Sequence, residues 1–144
     1  MSRQITLIAV GRLKRDTHQD LIDHYLKQIP STVSVVELDT GDYRSENIAI
    51  RAEIAKQPQA LWIAMDVRGD NLSSEQFAGI LEPQSRIGLI IGGADGLDDE
   101  TRALCKHKMA FGKAIWPHKL ARVMLIEQLF RAHHIWTNHP YHRA

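Results

Sequence analysis

Apolar and polar positions along the chain fall into segments that alternate between short unbroken apolar runs and stripes of helical period. Ile5–Val10 is an apolar run that stops at Gly11, the signature of a buried strand. Thr17 opens a helical stretch, with Asp20 placed to suit capping and the helix dipole. Leu21, Ile22, Tyr25, Leu26 and Ile29 fall on one face of it, and Pro30 stops it. Val33, Val35, Val36 and Leu38 predict a second strand. Residues 39–47 are polar and turn-rich, and Ser45 is expected to cap a helix toward Gln57 that Pro58 ends.

Leu61–Met65 predicts a third strand. Ser73 and Gln76 have the spacing of a capping box before Phe77, Ile80 and Leu81. Ile87–Ile91 is a fourth strand that runs straight into Gly92 and Gly93; Asp98 caps a helix through Leu104; Met109–Ile115 suggests a short fifth strand. A long helix over Lys119–Trp136 completes a βαβαβαβαβα order. Strands that are apolar throughout must be covered on both sides. The expected fold class is therefore α/β, a mostly parallel sheet with helices on both faces. The last helix is apolar over a wide arc (Leu120, Val123, Met124, Leu125, Ile126, Leu129, Phe130, Ile135). It must be covered on more than one side, by the sheet or by a second subunit, and a homodimer is the favoured expectation.

At 144 residues, 44% of them hydrophobic and 24% charged, the chain suits a single domain over 1–144 and excludes wholesale disorder. One cysteine, Cys105, cannot form an internal disulfide and reads as an inert packing residue. No apolar run approaches the ~18 residues of a membrane helix, and Ile5–Val10 is too short for a signal-peptide core. The expectation is a cytoplasmic protein with no membrane partner.

A net charge of +1 hides an asymmetry. Residues 1–101 hold 10 Lys/Arg against 16 Asp/Glu, whereas residues 102–144 hold 8 Lys/Arg against Glu127 alone, with six of the eight histidines. A cationic C-terminal face suits a polyanion, unless folding interleaves the two halves and cancels the field.

Two regions carry candidate chemistry. Ile91-Gly92-Gly93-Ala94-Asp95-Gly96-Leu97 links a buried strand to a helix, where α/β sheets bind ligands and where paired glycines let backbone amides approach closely. Its spacing is neither the dinucleotide fingerprint nor a P-loop. It reads as a small-ligand loop or as a plain strand–helix turn. The second region joins Phe111-Gly112-Lys113-Ala114-Ile115-Trp116-Pro117-His118 to the terminal Thr137-Asn138-His139-Pro140-Tyr141-His142-Arg143. His139 and His142, with His133, His134 or His118, could ligate a metal. The alternative is acid–base and phosphate chemistry, or a plain polar tail. Histidine exchanges protons near neutral pH, arginine grips phosphate, and tyrosine stacks on a base.

The glycine turn Ile91–Leu97, Trp116-Pro117-His118 and the ending Thr137–Arg143 resemble the ribosomal RNA large-subunit methyltransferase H family, of the SPOUT class. The opening Ala9-Val10-Gly11-Arg12-Leu13-Lys14 is similar as well. The resemblance implies a SPOUT-type fold with a C-terminal trefoil knot and S-adenosyl-L-methionine as methyl donor. It also implies an obligate homodimer, no metal, and methylation of N3 of a pseudouridine in 23S rRNA within the ribosome. It places Met65, Gly92, Gly93, Phe111, Gly112, Lys113, Ala114, Ile115 and Trp116 at the donor pocket; Lys113 and Trp116 can act there through their backbone. His139 and His142, then His118, are candidate bases, Tyr141 a stacking or orienting group, and Arg122 and Arg143 candidate phosphate holders. Rival readings are a non-catalytic RNA-binding factor and a metal-dependent hydrolase.

Overall fold

In the computed structural model, which describes residues 2–143, one sheet runs through the molecule in the order β2-β1-β4-β3-β5, all pairs parallel. Its strands are β1 (Gln4–Val10), β2 (Thr32–Leu38), β3 (Leu61–Asn71), β4 (Arg86–Ile91) and β5 (His107–Ala110). The helices are α1 (Thr17–Leu26), α2 (Tyr43–Ala55), α3 (Ser74–Leu81), α4 (Asp99–Ala103) and α5 (His118–Trp136).

Alternation along each strand decides which helix it meets. Ile5, Leu7 and Ala9 of β1, Ile63 of β3 and Leu89 and Ile91 of β4 pack with Ile22 of α1, Phe77 and Leu81 of α3, and the buried face of α5. Their alternates Ile8, Val10, Trp62, Ala64 and Ile90 pack with Ile50 and Ile54 of α2, and with Leu97 and Cys105 around α4. Burying each large aliphatic side chain contributes roughly 1.5–3 kcal/mol. Both faces of the sheet are thus covered, as the apolar runs require. Helix α5 lies between α1 and α3, burying Val123, Leu125, Ile126, Leu129, Phe130 and Ala132 within the chain. Its wide apolar arc is therefore satisfied largely by this protomer, and by itself calls for no second subunit.

One close approach sets how tightly the second face packs. A Cβ added to Gly88 of β4 would lie 2.1 Å from Cε3 of Trp62, whose indole N–H is already committed to the Gln57 carbonyl at 3.0 Å. Gly88→Ala is expected to destabilise the fold by about 1–3 kcal/mol, the scale of forced overpacking. Urea unfolding checks this, and an unchanged midpoint would refute it.

Three boundaries differ from the sequence-based expectation. Asp42, not Ser45, caps α2, accepting from the Ser45 amide at 2.8 Å. Strand β5 stops at Ala110, because Gly112 takes a left-handed φ of +77° and the chain turns away. Strand β3 continues six residues past Met65. Its register shifts so that Met109 of β5 pairs with both Met65 and Asp70. The segment 66–69 forms an arch over β5, with Gly69 so close that an added Cβ would sit 2.5 Å from the Lys108 carbonyl carbon and the Met109 nitrogen.

Near the far end of α5, His133 is buried. Its Nδ1 contacts the Leu129 carbonyl at 2.8 Å, and its Nε2 contacts the Ser31 hydroxyl at 2.7 Å. Burial lowers its pKa below the ordinary 6.5, and His134 and His118 shift the same way for the same leading reason. As pH falls from 6.5, the unfolded chain takes up these protons before the folded one does, so stability is present above 6.5 and lost below it. Urea midpoints are expected to drop between pH 7.5 and pH 5.5, and His133→Gln to flatten the drop. A flat profile for the parent chain would contradict this.

Candidate active site

Three loops at the carboxyl ends of the strands enclose a cleft of about 800 Å³, within the range typical of small-molecule sites. The glycine turn 92–97 after β4 forms one wall, the arch 66–68 a second, and the connection from Phe111 to His118 a third.

The glycine turn is held from behind. Gly96, at φ +78°, donates its amide to the Gly93 carbonyl at 3.0 Å. Asn47 of α2 is fully buried; its amide nitrogen donates to the Tyr43 carbonyl at 2.9 Å, and its side-chain oxygen accepts from the Asp98 amide at 2.9 Å. Asp98 caps α4 through the Thr101 amide and receives Arg51 at 2.9 Å. A Cβ on Gly92 would meet Leu97 Cδ2 at 2.9 Å, and one on Gly93 would meet Glu46 Oε1 at 2.7 Å. A side chain at either position would have to displace Leu97 or Glu46. Sequence reasoning missed Asn47; a lone polar residue in an amphipathic helix gives no signal of its own.

The arch is fastened at Asp66. Its carboxylate accepts from the Arg68 amide at 2.8 Å and from the guanidinium of Arg102. Burial alone would raise its pKa; the hydrogen bonds from Arg68 and Arg102 outweigh that and hold it below the usual carboxylate range. On the third wall, the Trp116 indole N–H donates to the Phe111 carbonyl at 2.8 Å and closes the 111–116 loop on itself. His118, the first residue of α5, lines the cleft with its ring against Gly11. Burial, then the nearby Arg122 and Lys119 charges, lowers its pKa, so the ring is neutral at pH 7.

Of the residues expected at a donor pocket, Met65, Gly92, Gly93, Phe111, Ala114, Ile115 and Trp116 line the cleft, while Gly112 and Lys113 lie just outside it. The tail sits elsewhere in the protomer. Asn138 is left-handed at φ +55°, and the chain then doubles back along α5. The Tyr141 hydroxyl donates to Glu127 at 2.9 Å, and its ring packs on Phe130. His142 contacts Glu75 at 2.5 Å and Arg131 at 3.1 Å. The Tyr141 amide donates to His139 Nδ1 at 3.1 Å, and Arg143 is exposed. Burial and the Glu127 carboxylate push the Tyr141 hydroxyl up to about 12, so it stays protonated. Among the described residues, none of the tail lines the cleft of its own protomer.

Arg122 corrects an expectation. It is 1% exposed, paired with Glu37 at 2.6 Å and donating to the Gly11 carbonyl at 2.9 Å. A cation so enclosed ties α5 to β1 and β2 and cannot reach an RNA phosphate. Cys105 is buried and desolvation pushes its thiol up to about 11, which leaves it unreactive at neutral pH. Among the described residues, no group of three or more His, Cys, Asp or Glu is arranged to hold a metal ion, and no helix is long and apolar enough to cross a membrane.

A family model described as "Predicted SPOUT methyltransferase" matches residues 3–142. The chain belongs to the SPOUT methyltransferase family. Within it, the chain is 43% identical over 140 residues to the ribosomal RNA large subunit methyltransferase H of Synechococcus sp. (strain CC9605), covering 96% of this chain and 95% of that one. It is 40% identical over 157 residues to the protein of the same name from Dinoroseobacter shibae, covering 98% and 99%. Among solved structures, the tRNA (m1G37) methyltransferase of Aquifex aeolicus shares the fold, with a TM-score of 0.62 at 11% identity over 91% of this chain and 70% of that one. The SPOUT fold of this chain is thus seen as a five-stranded parallel sheet with its cleft at the strand ends.

Proposed function

We propose that the chain is a cytoplasmic ribosomal RNA methyltransferase that transfers a methyl group from S-adenosyl-L-methionine to N3 of a pseudouridine in 23S rRNA on the assembled ribosome. The observation that carries this reading is the cleft: a glycine turn closely backed by Leu97 and Glu46, facing an apolar loop, in a chain whose near full-length relatives are named ribosomal RNA large subunit methyltransferases.

The residues present fit such a donor. Met65, Ile91, Leu97, Phe111 and Ile115 offer apolar walls, and the glycine turn and the 111–116 loop offer backbone groups at close range. When bound, the donor supplies a methyl group on a sulfonium, already activated for in-line displacement. The chain's own task is then positioning and exclusion of water. The acceptor nitrogen must shed a proton, and the neutral His118 ring in the cleft can take one. His139 and His142 are the alternatives from the tail, with Tyr141 as an orienting or stacking group and Arg143 as a phosphate holder.

Two structural features belong to the same proposal. A C-terminal trefoil knot is the fold that the family resemblance implies; the register shift of β3 on β5, where Met109 pairs with both Met65 and Asp70, is where the chain departs from a simple parallel ladder. A homodimer is supported by the tail. Its chemistry-bearing groups do not line their own cleft, and a second copy is the route by which they reach one.

Calorimetry with S-adenosyl-L-methionine, together with mass spectrometry of rRNA from cells lacking the protein, tests the reading. Stoichiometric binding and one missing methyl group are expected. No donor binding would instead favour a non-catalytic RNA-binding factor. A net charge of +1 gives little general affinity for RNA, so turnover on ribosomes is expected to exceed that on naked rRNA. Equal rates would refute the ribosome as substrate.

A further inference from the structure

We infer that the β1–α1 loop, residues 12–15, is a preorganised phosphate-contacting element beside the cleft, with Arg12, Lys14 and Arg15 gripping the backbone of the RNA whose base enters it. The inference rests on the RNA methyltransferase reading and assigns the acceptor side a surface.

The argument is one of charge segregation. The loop is anchored on its inner side throughout. The Gly11 amide donates to the Leu38 carbonyl at 2.8 Å, and the Gly11 carbonyl accepts from Arg122 at 2.9 Å. Leu13 is completely buried, and its amide donates to Glu37 at 3.0 Å. The Asp16 amide donates to the Leu13 carbonyl at 2.9 Å, and the Asp16 carboxylate takes Lys119 at 2.9 Å and caps α1 through the His18 amide. Two of the acids near the loop, Glu37 and Asp16, are therefore consumed by the inner cations Arg122 and Lys119. They are not available to the outer ones.

Arg12, Lys14 and Arg15 all point outward and are exposed. Arg12 reaches only Asp39, 3.4 Å away, with both side chains more than 60% exposed, a pairing water largely screens. Lys14 and Arg15 form no ion pair among the described residues. Arg15 is held at φ +63°, a conformation a non-glycine residue keeps only when its surroundings impose it. Two unpaired cations and one held only by an exposed, screened pair, within four residues on a loop fixed at both ends, lose little freedom on binding a polyanion. The location fits the acceptor. A Cβ built on Gly11 would lie 3.5 Å from Nε2 of His118, which lines the cleft, so the loop starts beside the candidate base. The partner is a phosphodiester backbone rather than a small anion, since the three exposed cations follow one another along the loop and none of them lines the cleft.

The test is a triple variant, Arg12→Gln, Lys14→Gln and Arg15→Asn, with asparagine chosen because it tolerates a left-handed φ. Lys27→Gln with Lys56→Gln serves as the control, at the carboxyl ends of α1 and α2, far from the cleft. Sedimentation binding to large ribosomal subunits, methylation of those subunits, and calorimetry with S-adenosyl-L-methionine are measured on each. The triple variant is expected to bind subunits on the order of tenfold or more weaker, with a salt dependence shallower by roughly 2 in log–log slope. KM should rise more than kcat falls, while donor binding and unfolding midpoint stay at parental values and the control stays unchanged. Parental binding and salt slope in the triple variant would overturn the inference, as would an equal loss in the control. Failure of the parent chain to methylate any subunit would instead sink the RNA methyltransferase reading, while the binding series would still decide the role of the loop.

Discussion

Gly69→Ala is expected to abolish donor binding and to lower the unfolding midpoint by an amount equivalent to about 3 kcal/mol, the upper end of overpacking costs. The reason is what stands opposite. An added methyl would lie 2.5 Å from two backbone atoms of Lys108 and Met109, and 2.7 Å from the Lys108 carbonyl oxygen. A crowded side chain can swing aside, but β5 is hydrogen-bonded into the sheet along that stretch, so either the arch or the strand must move. Moving the arch displaces Asp66, Val67 and Arg68, which wall the cleft. Moving β5 displaces Met109 and Phe111, which line it from the other side. Gly79→Ala provides the internal comparison. It lies on α3 with nothing within 4 Å of the new Cβ, and alanine is expected to stabilise there by about 0.5–1 kcal/mol. Calorimetry with S-adenosyl-L-methionine and urea unfolding read both variants. Parental donor affinity in Gly69→Ala would show that the arch and β5 do not need their close contact.

Gly69 also marks where sequence reasoning ends. Strands β1 and β4, the capping box of α3 and the Asp98 cap of α4 were all legible, because each is written in residues close together in the chain. The arch is not local. Residues 66–71 acquire their meaning from β5, some forty positions later, and the one available signal was a lone glycine between Arg68 and Asp70. The same limit explains the overlong fifth strand. Phe111, Ala114 and Ile115 are apolar because they face the cleft, a reason for hydrophobicity that strand periodicity cannot distinguish from burial in a core. Arg122 shows the converse error. Residue type suggested a phosphate ligand, but only the fold reveals that Glu37 and the Gly11 carbonyl enclose it. The loops that wall the cleft were legible through resemblance and the glycine pattern. The position of the tail was not, since nothing in its sequence says that Glu127 and Glu75 hold it along α5.

Deleting residues 139–144 is expected to reduce methyl transfer by a factor on the order of 10²–10⁴ where the tail, rather than His118, supplies the proton acceptor and the groups that orient the substrate. The deletion removes Tyr141 from Phe130 and Glu127, and His142 from Arg131 and Glu75. All of these contacts are on one side of α5, so the sheet and the cleft keep their shape. The sharper question is which cleft the tail serves. Within a protomer, the Tyr141 hydroxyl is held at Glu127, nine residues along α5 from His118, which is about 14 Å at 1.5 Å per residue. Co-expressing the tail-deleted chain with a Gly92→Val chain separates the two possibilities. The second chain carries an intact tail but a blocked glycine turn, since even a single added carbon meets Leu97 at 2.9 Å. If tails act across a two-fold interface, random pairing restores about one quarter of the parental sites, each combining the open cleft of one copy with the tail of the other. If each tail acts on its own cleft, no pairing restores any. Activity at background in the mixture, with both chains folded and dimeric, would therefore remove the second copy from the site and require the tail to swing along α5 to reach His118.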